Sequence, residues 1–262
     1  MPEGHTIHRI ARDHQKRFAG DSLEVSSPQG RFRAGAKRLN GRLLDRVEAY
    51  GKHLFYWWDG SLVLHIHLGL YGKFRNHRCP PPDPRGAVRL RVIGRDHTFD
   101  LNGPTACDVM TSKNRNKIVA RLGQDPLRKD ADPEIAWQRI HRSRAAIGTL
   151  LLNQSVIAGV GNVFRADVLY ALKIHPERPG LTLGRSEFDR LWETLERMLK
   201  TGVKYNRIIT ADPAEIGKTP GRMRREERLL VYKKQSCREC GQTIDSWDLG
   251  ARTIYACQNC QT

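Results

Sequence analysis

Two pairs of cysteines carry the clearest chemical signal in the chain. Cys237-Arg-Glu-Cys240 and Cys257-Gln-Asn-Cys260 are C-x-x-C knuckles with sixteen residues between them, a spacing typical of structural zinc sites. Four thiolates fill a tetrahedral shell and leave no open position for water. The expected Zn2+, one structural ion, therefore holds the fold and activates no nucleophile. The bland alternative is four free thiols. Between the knuckles, Ala251 to Ala256 reads as one strand of a hairpin presenting Arg252, a residue type that is more often solvated than functional at such a position.

Pro2 and Glu3 are the second candidate group. Once the initiator methionine is removed, an N-terminal proline is a secondary amine with no carbonyl withdrawing its lone pair, and can act as a nucleophile. The positive end of a helix and nearby cations favour the neutral amine, while Glu3 in the first helical turn could shuttle protons. The plainer reading is proline at a helix start followed by an acidic residue. Gly51-Lys52 precedes an apolar strand, and Leu62 to Leu68 places His65 and His67 on one side of its alternation. Each could equally be structural. Ile157-Ala-Gly-Val-Gly-Asn162 lies between the apolar run Ile147 to Leu152 and a helix expected from Val163 to Leu172. Gly159 and Gly161 permit close backbone approach, and the N–H groups opening the second helix suit a phosphate.

The elements that must position these groups follow from periodicity. Ile7, Ile10, Ala11 and Phe18 recur at helical spacing, with Gly20 as a stop, so the chain opens with a helix. Strands are expected at Arg42 to Glu48, His53 to Trp58, Leu62 to Leu68, Val88 to Ile93 and His97 to Leu101. Asp59-Gly60 and the proline-rich stretch Pro80 to Pro84 punctuate them, which suggests an antiparallel sandwich. In Val88 to Ile93 the alternation gives an apolar face and a basic face, Arg89 and Arg91, free for solvent or phosphate. Asp132-Pro133 starts a helical region reaching about Gly202, in which Ser186 is the expected cap of a helix burying Phe188, Leu191, Trp192, Leu195 and Leu199. Residues 206–228 are basic and turn-rich, and read as a long mobile loop. The fold class is α+β. The domain reading is an N-terminal helix and β-sandwich over 1–123, a linker over 124–131, a helical domain with a long loop over 132–228, and a four-cysteine hairpin finger over 229–262.

Composition narrows the partners. Forty-five Lys and Arg against 28 Asp and Glu leave a formal charge of +17, so a polyanion is expected, nucleic acid first. A membrane surface fits less well because the charge is spread along the chain. No apolar stretch approaches the roughly 20 residues that span a bilayer. No apolar signal segment is read, and only Cys79 and Cys107 fall outside the knuckles. The expectation is a soluble monomer in a reducing cytoplasm, nucleoid-associated, with no membrane partner.

Taken in order, Met-Pro-Glu-Gly, Gly51-Lys52, His67-Leu-Gly-Leu-Tyr-Gly72, Leu122-Gly-Gln-Asp-Pro-Leu127, Gly159-Val-Gly-Asn162 and the finger with Arg252 resemble the formamidopyrimidine-DNA glycosylase and endonuclease VIII family over nearly the whole chain. The start and the Leu-Tyr-Gly segment look closer to the endonuclease VIII branch, which prefers oxidised pyrimidines. The resemblance implies a bifunctional glycosylase and abasic-site lyase of base excision repair, acting on damaged double- or single-stranded DNA through a helix-two-turn-helix domain. Pro2 would attack C1′, Glu3 would carry protons and Lys52 would contact the lesion phosphate. His67, Gly161, Asn162 and Arg252 would grip the backbone, and Leu70 and Tyr71 would fill the void left by the flipped base. One departure stands out: Thr6, preceded by His5, occupies the place of a second glutamate carried by many members. Nor does Asp100 to Met110 contain the arginine and aromatic inserted by the purine branch. Non-catalytic or lyase-only damage binding, and an RNA-binding zinc ribbon, are the competing readings.

Overall fold

The computed structural model describes residues 2–262; Met1 lies outside the described residues. The chain forms two compact units, one of residues 7–121 with Pro2, the other of residues 122–262 with Glu3–Thr6.

In the first unit the elements are α1 (Gly4–Phe18, from Ile7 onward), β1 (Glu24–Ser26), α2 (Arg33–Leu39), β2 (Leu44–Tyr50), β3 (His53–Trp58), β4 (Leu62–His67), β5 (Lys73–Arg78), β6 (Val88–Ile93), β7 (His97–Asn102), β8 (Ala106–Thr111) and α3 (Ser112–Val119). Two four-stranded sheets, ordered β1-β6-β7-β5 and β2-β3-β4-β8, are antiparallel at every pairing. Inward-facing Leu54, Tyr56, Leu64 and Ile66 of one sheet meet Leu90, Val92, Phe99 and Leu101 of the other, with Ile7, Ala11 and Phe18 of α1 completing the core. The expected sandwich is therefore present. Phe55, Trp57 and Val63 on the opposite face of the second sheet pack against Ile118 and Val119 of α3. That cover explains why β3, His-Leu-Phe-Tyr-Trp-Trp, is apolar throughout and does not alternate.

Two sequence expectations fail here. Arg91 does not face solvent or phosphate; it is buried. Its Nε and Nη2 donate to the two carboxylate oxygens of Asp100, at 2.7 and 2.8 Å, and Nη2 also donates to the Pro82 carbonyl. Asp100 is its register partner on β7, and this neighbour on the next strand was not readable from β6 alone. Strands β1, β5 and β8 were also missed. Strand β5 is a polar edge strand, a composition that protects edges and erases the apolar signal.

The second unit contains α4 (Pro133–His141), α5 (Ile147–Leu152), α6 (Asn162–Ala171), α7 (Arg185–Tyr205), α8 (Pro213–Ile216), β9 (Asp245–Asp248) and β10 (Thr253–Ala256). Asp132 caps α4, accepting from the Glu134 amide at 3.0 Å with Pro133 in the first turn. The buried stripe of α7 is Phe188, Leu191, Trp192, Leu195 and Leu199, as its spacing requires. Its cap is Gly184 and not Ser186. The Glu187 carboxylate accepts from the Gly184 amide at 2.8 Å while Arg178 holds both of its oxygens, so the helix begins two residues earlier than the serine predicts. Residues 206–228 are not structureless. They contain α8, a 3-10 turn at Pro220–Arg222 and an ion pair between Lys218 and Glu227. Strands β9 and β10 pair antiparallel from Thr253 and Asp248, forming the hairpin of the cysteine module.

Candidate active site

Within the second unit, the residues after Pro2 are tied into the turn between α5 and α6. The Gly4 amide donates to the Gly159 carbonyl at 2.8 Å, and Glu3 Oε1 accepts from the Val163 amide at 3.0 Å. Glu3 is 1% exposed. A carboxylate at a helix start is stabilised by the unpaired N–H groups and the helix dipole. The Val163 N–H that could have served a phosphate is thus engaged by this chain's own Glu3. Gly161 makes the approach possible: a Cβ there would lie 2.2 Å from the Glu3 carboxyl carbon. Gln154 braces the same turn, its side-chain amide donating to the Leu152 and Val160 carbonyls and accepting from the Gly159 amide. The Gln124 carbonyl accepts from the Ala158 amide at 2.9 Å, which ties the Leu122 to Leu127 segment to the same turn.

Next to Glu3, His5 is buried against Phe164, ring centroids 5.2 Å apart. Burial lowers its pKa to about 4, so the imidazole is neutral near pH 7. Thr6, the residue in place of a second carboxylate, places its hydroxyl 3.1 Å from His5 Nε2.

From helix α6 four polar side chains reach the cysteine module. Asn162 Nδ2 donates to the Thr253 carbonyl at 2.9 Å. Arg165, fully buried, donates to Asn162 Oδ1 at 2.5 Å and to the carbonyls of Leu249, Arg252 and Thr253. Asp167, also fully buried, accepts from the amides of Leu230, Val231 and Tyr232 and from the Thr210 hydroxyl. The Tyr170 hydroxyl lies 3.0 Å from Cys237 Sγ. Arg252 itself is exposed. Arg165, Asp167 and Tyr170 were missed by sequence reasoning; charged residues inside an otherwise buried helix were the available signal.

The four cysteine sulfurs lie within 4.8 Å of one another, with Cys237 and Cys260 at 3.8 Å and Cys240 and Cys257 at 3.5 Å. Sulfurs about 2.3 Å from a central ion at tetrahedral angles would stand roughly 3.8 Å apart. The donor set and its spacing therefore fit a four-thiolate metal site, closed to substrate.

The first unit carries the remaining candidates. Pro2 is half-buried. Lys52 sits in the turn between β2 and β3, at the edge of a row of imidazoles: His53 Nδ1 and His65 Nε2 are 2.9 Å apart, and the rings of His53 and His67 are 4.8 Å apart. Burial pushes His53 down to about 3 and His65 to about 4; burial, and then the Lys52 charge, lower His67. The Gly69 amide donates to His67 Nδ1 at 3.2 Å, which fixes the tautomer and leaves Nε2–H to donate outward. Leu70 and Tyr71 project from the β4–β5 turn, 49% and 85% exposed. Gly69 adopts φ +63, and the Gly72 amide closes the turn on the Leu68 carbonyl at 2.9 Å. A large aliphatic and an aromatic side by side in solvent are costly unless they have a partner. Between β7 and β8 only residues 103–105 intervene, so the stretch lacking the purine-branch insertion is a tight turn.

Comparison with known proteins agrees with this arrangement. Residues 1–102 match the formamidopyrimidine-DNA glycosylase N-terminal domain and residues 122–213 the formamidopyrimidine-DNA glycosylase H2TH domain. Endonuclease 8 1 of Mycobacterium tuberculosis is 47% identical over 268 residues, covering 100% of both chains. Formamidopyrimidine-DNA glycosylase of Methylococcus capsulatus is 29% identical, covering 100% of this chain and 98% of that one. In fold the chain is similar to Lactococcus lactis Fpg solved with abasic-site DNA (TM-score 0.82, 22% identity, 99% of each chain) and with DNA containing an oxidised pyrimidine (TM-score 0.81, 23% identity, 99% of each chain). With both domains matched in order and a full-length relative at 47% identity, the chain belongs to the formamidopyrimidine-DNA glycosylase and endonuclease VIII family, DNA glycosylases of base excision repair with abasic-site lyase activity.

Proposed function

We propose that the protein excises oxidised pyrimidines from DNA through Pro2 and cuts the strand by β- and δ-elimination, with one structural Zn2+ in the finger. The observation that carries this reading is the fixation of Glu3 at the start of α6, one peptide bond from Pro2, by Val163 N–H and the bare Cα of Gly161. With Met1 removed, the Pro2 amine attacks C1′ of the damaged nucleotide. The C1′–N bond breaks, the base leaves with the electron pair and is protonated, and the amine loses its proton. Opening of C1′–O4′, with Glu3 delivering a proton to O4′, gives an iminium. That cation acidifies C2′–H, so loss of the C2′ proton expels the 3′ phosphate, and a further elimination expels the 5′ phosphate.

Lys52 contacts the lesion phosphate and assists these eliminations. His67, through neutral Nε2–H, and Gly161, Asn162 and Arg252 bind the flanking backbone, contacts that carry no base information. Leu70 and Tyr71 occupy the space vacated by the extruded base. Zinc bound by Cys237, Cys240, Cys257 and Cys260 supplies only the rigidity of the hairpin that bears Arg252.

Borohydride trapping on duplexes carrying an abasic site or an oxidised pyrimidine tests the scheme. A covalent band on both, absent in Pro2→Gly, is expected. A band on the abasic site alone would restrict the protein to lyase chemistry, the outcome that Thr6 in place of a carboxylate favours. No band, with a free N-terminal proline verified by intact mass and zinc bound, would overturn the scheme.

A further inference from the structure

We propose that Arg165 is a positioning residue that sets the finger turn, and with it the Arg252 side chain, by a fork of hydrogen bonds from α6. The inference rests on reading Arg252 as a phosphate contact. The turn between β9 and β10 is a two-residue hairpin closed by the Leu249 amide on the Arg252 carbonyl at 3.0 Å. Gly250 and Ala251 both adopt left-handed conformations, φ +65 and +58. This is the turn type matched to strand twist, but an alanine in that region costs about 1 kcal/mol, and a two-stranded ribbon is marginal by itself. Something outside the ribbon must hold the turn.

Arg165 meets that need. One guanidinium nitrogen donates to the Leu249 carbonyl at 2.8 Å. The other donates to Asn162 Oδ1 at 2.5 Å and lies 3.3 Å from the carbonyls of Arg252 and Thr253. The residues flanking the turn are therefore fastened to α6 on both strands. Among the described residues no carboxylate is paired with this buried cation; its electrostatic support includes Glu3 and Tyr232, opposed by Arg252. A buried guanidinium held by neutral oxygens, with its Nε–H left without a partner, is costly to maintain, and a planar fork with fixed donors is the reason to keep it. Asn162 is oriented by the same fork, since its Oδ1 accepts from Arg165 and its Nδ2 donates to Thr253. One amide hydrogen of Asn162 then remains for a phosphate. Asn162 keeps its own bond to the Thr253 carbonyl, so the phosphate contact that depends on Arg165 is the one on the finger.

A double-mutant cycle on the zinc-loaded full chain tests this, using binding to a duplex with a non-cleavable tetrahydrofuran abasic analogue. Arg252→Ala should weaken binding roughly tenfold and reduce the salt slope by about 0.9, as loss of one phosphate contact requires. Arg165→Met should do the same, and adding it to Arg252→Ala should cost less than threefold further. Arg165→Lys, which retains the charge and can reach a single carbonyl, should not rescue binding. Independent, multiplicative losses in the double variant, or wild-type affinity and slope in Arg165→Met, would sink the inference while leaving the Arg252 contact standing. An Arg252→Ala protein with unchanged affinity and slope would sink the contact itself. Should Arg165→Met lose zinc, Arg165→Lys carries the same cycle: its loss must disappear in the Arg252→Ala background.

Discussion

Arg91 in the sandwich and Arg165 on α6 are both buried guanidiniums, and they are held by partners of opposite kinds. Arg91 is paired with Asp100 on the adjacent strand, and that carboxylate raises its pKa. Arg165 has only carbonyls and an amide oxygen, and burial lowers its pKa to about 10. The contrast extends to the surroundings. The sandwich has an apolar core drawn from two sheets and a helix, so its ion pair is an addition to a body that holds without it. The cysteine module has two four-residue strands and a small apolar cluster, and is fastened to α6 by Asn162, Arg165, Asp167 and Tyr170. Where apolar area is scarce, buried polar groups take over the work of fixing geometry, and a metal held by the four cysteines would join them.

Removing the metal should give the largest effect. Apparent binding energies of structural zinc are on the order of 10 to 16 kcal/mol. A strong chelator should therefore abolish hydrogen-exchange protection in β9 and β10 while leaving β3 and β4 protected, and DNA affinity should collapse. Protection surviving in β9 would mean that α6 alone holds the hairpin. Next, Arg91→Met takes the bidentate guanidinium from the buried Asp100 carboxylate, leaving it His77 Nε2 at 3.6 Å, and should cost about 3 kcal/mol in urea unfolding. Adding Asp100→Leu should recover most of that loss; failure to recover would make the pair essential to the sandwich.

A smaller effect concerns pH. His14 lies inside the sandwich between Tyr56 and Asn76, stacked on Phe99, and burial lowers its pKa from 6.5 to about 4. A base with a depressed folded pKa contributes stability that is fully present above the unfolded value and is lost as pH falls from 6.5 toward 4. The loss approaches about 3 kcal/mol. Urea midpoints taken at neutral pH and at mildly acid pH should diverge less in His14→Phe than in the wild type. Smallest, Tyr170→Phe should cost about 1 kcal/mol and speed zinc transfer to a chromogenic chelator, because Cys237 loses a hydrogen-bond donor. An unchanged transfer rate would remove Tyr170 from the set of groups that secure the finger.

Elements with strong period or distinctive residues were legible: the opening helix, strands β2, β3, β4, β6 and β7, the stripe of α7 and the cysteine knuckles. The short or polar elements were not. Helix α3, Ser-Lys-Asn-Arg-Asn-Lys-Ile-Val, offers two apolar residues at one end, and no periodicity can be read from that. The site divides similarly. Lys52, His67 and Asn162 were nominated through ordered motifs, whereas Arg165 and Asp167 act on backbone atoms some 60 to 90 residues away in sequence, a relation that local pattern does not encode. The expected basic face of β6 failed for the same reason: a partner on the next strand decides whether an arginine faces solvent.

The β4–β5 turn has one more consequence. Its shape is set by Gly69, Gly72 and backbone hydrogen bonds, and Leu70 and Tyr71 stand in solvent. These two positions are consequently an exchangeable tip on a fixed mount. Under the proposed scheme, substitutions there would alter which lesions are admitted while leaving the turn and the folding of the sandwich unchanged.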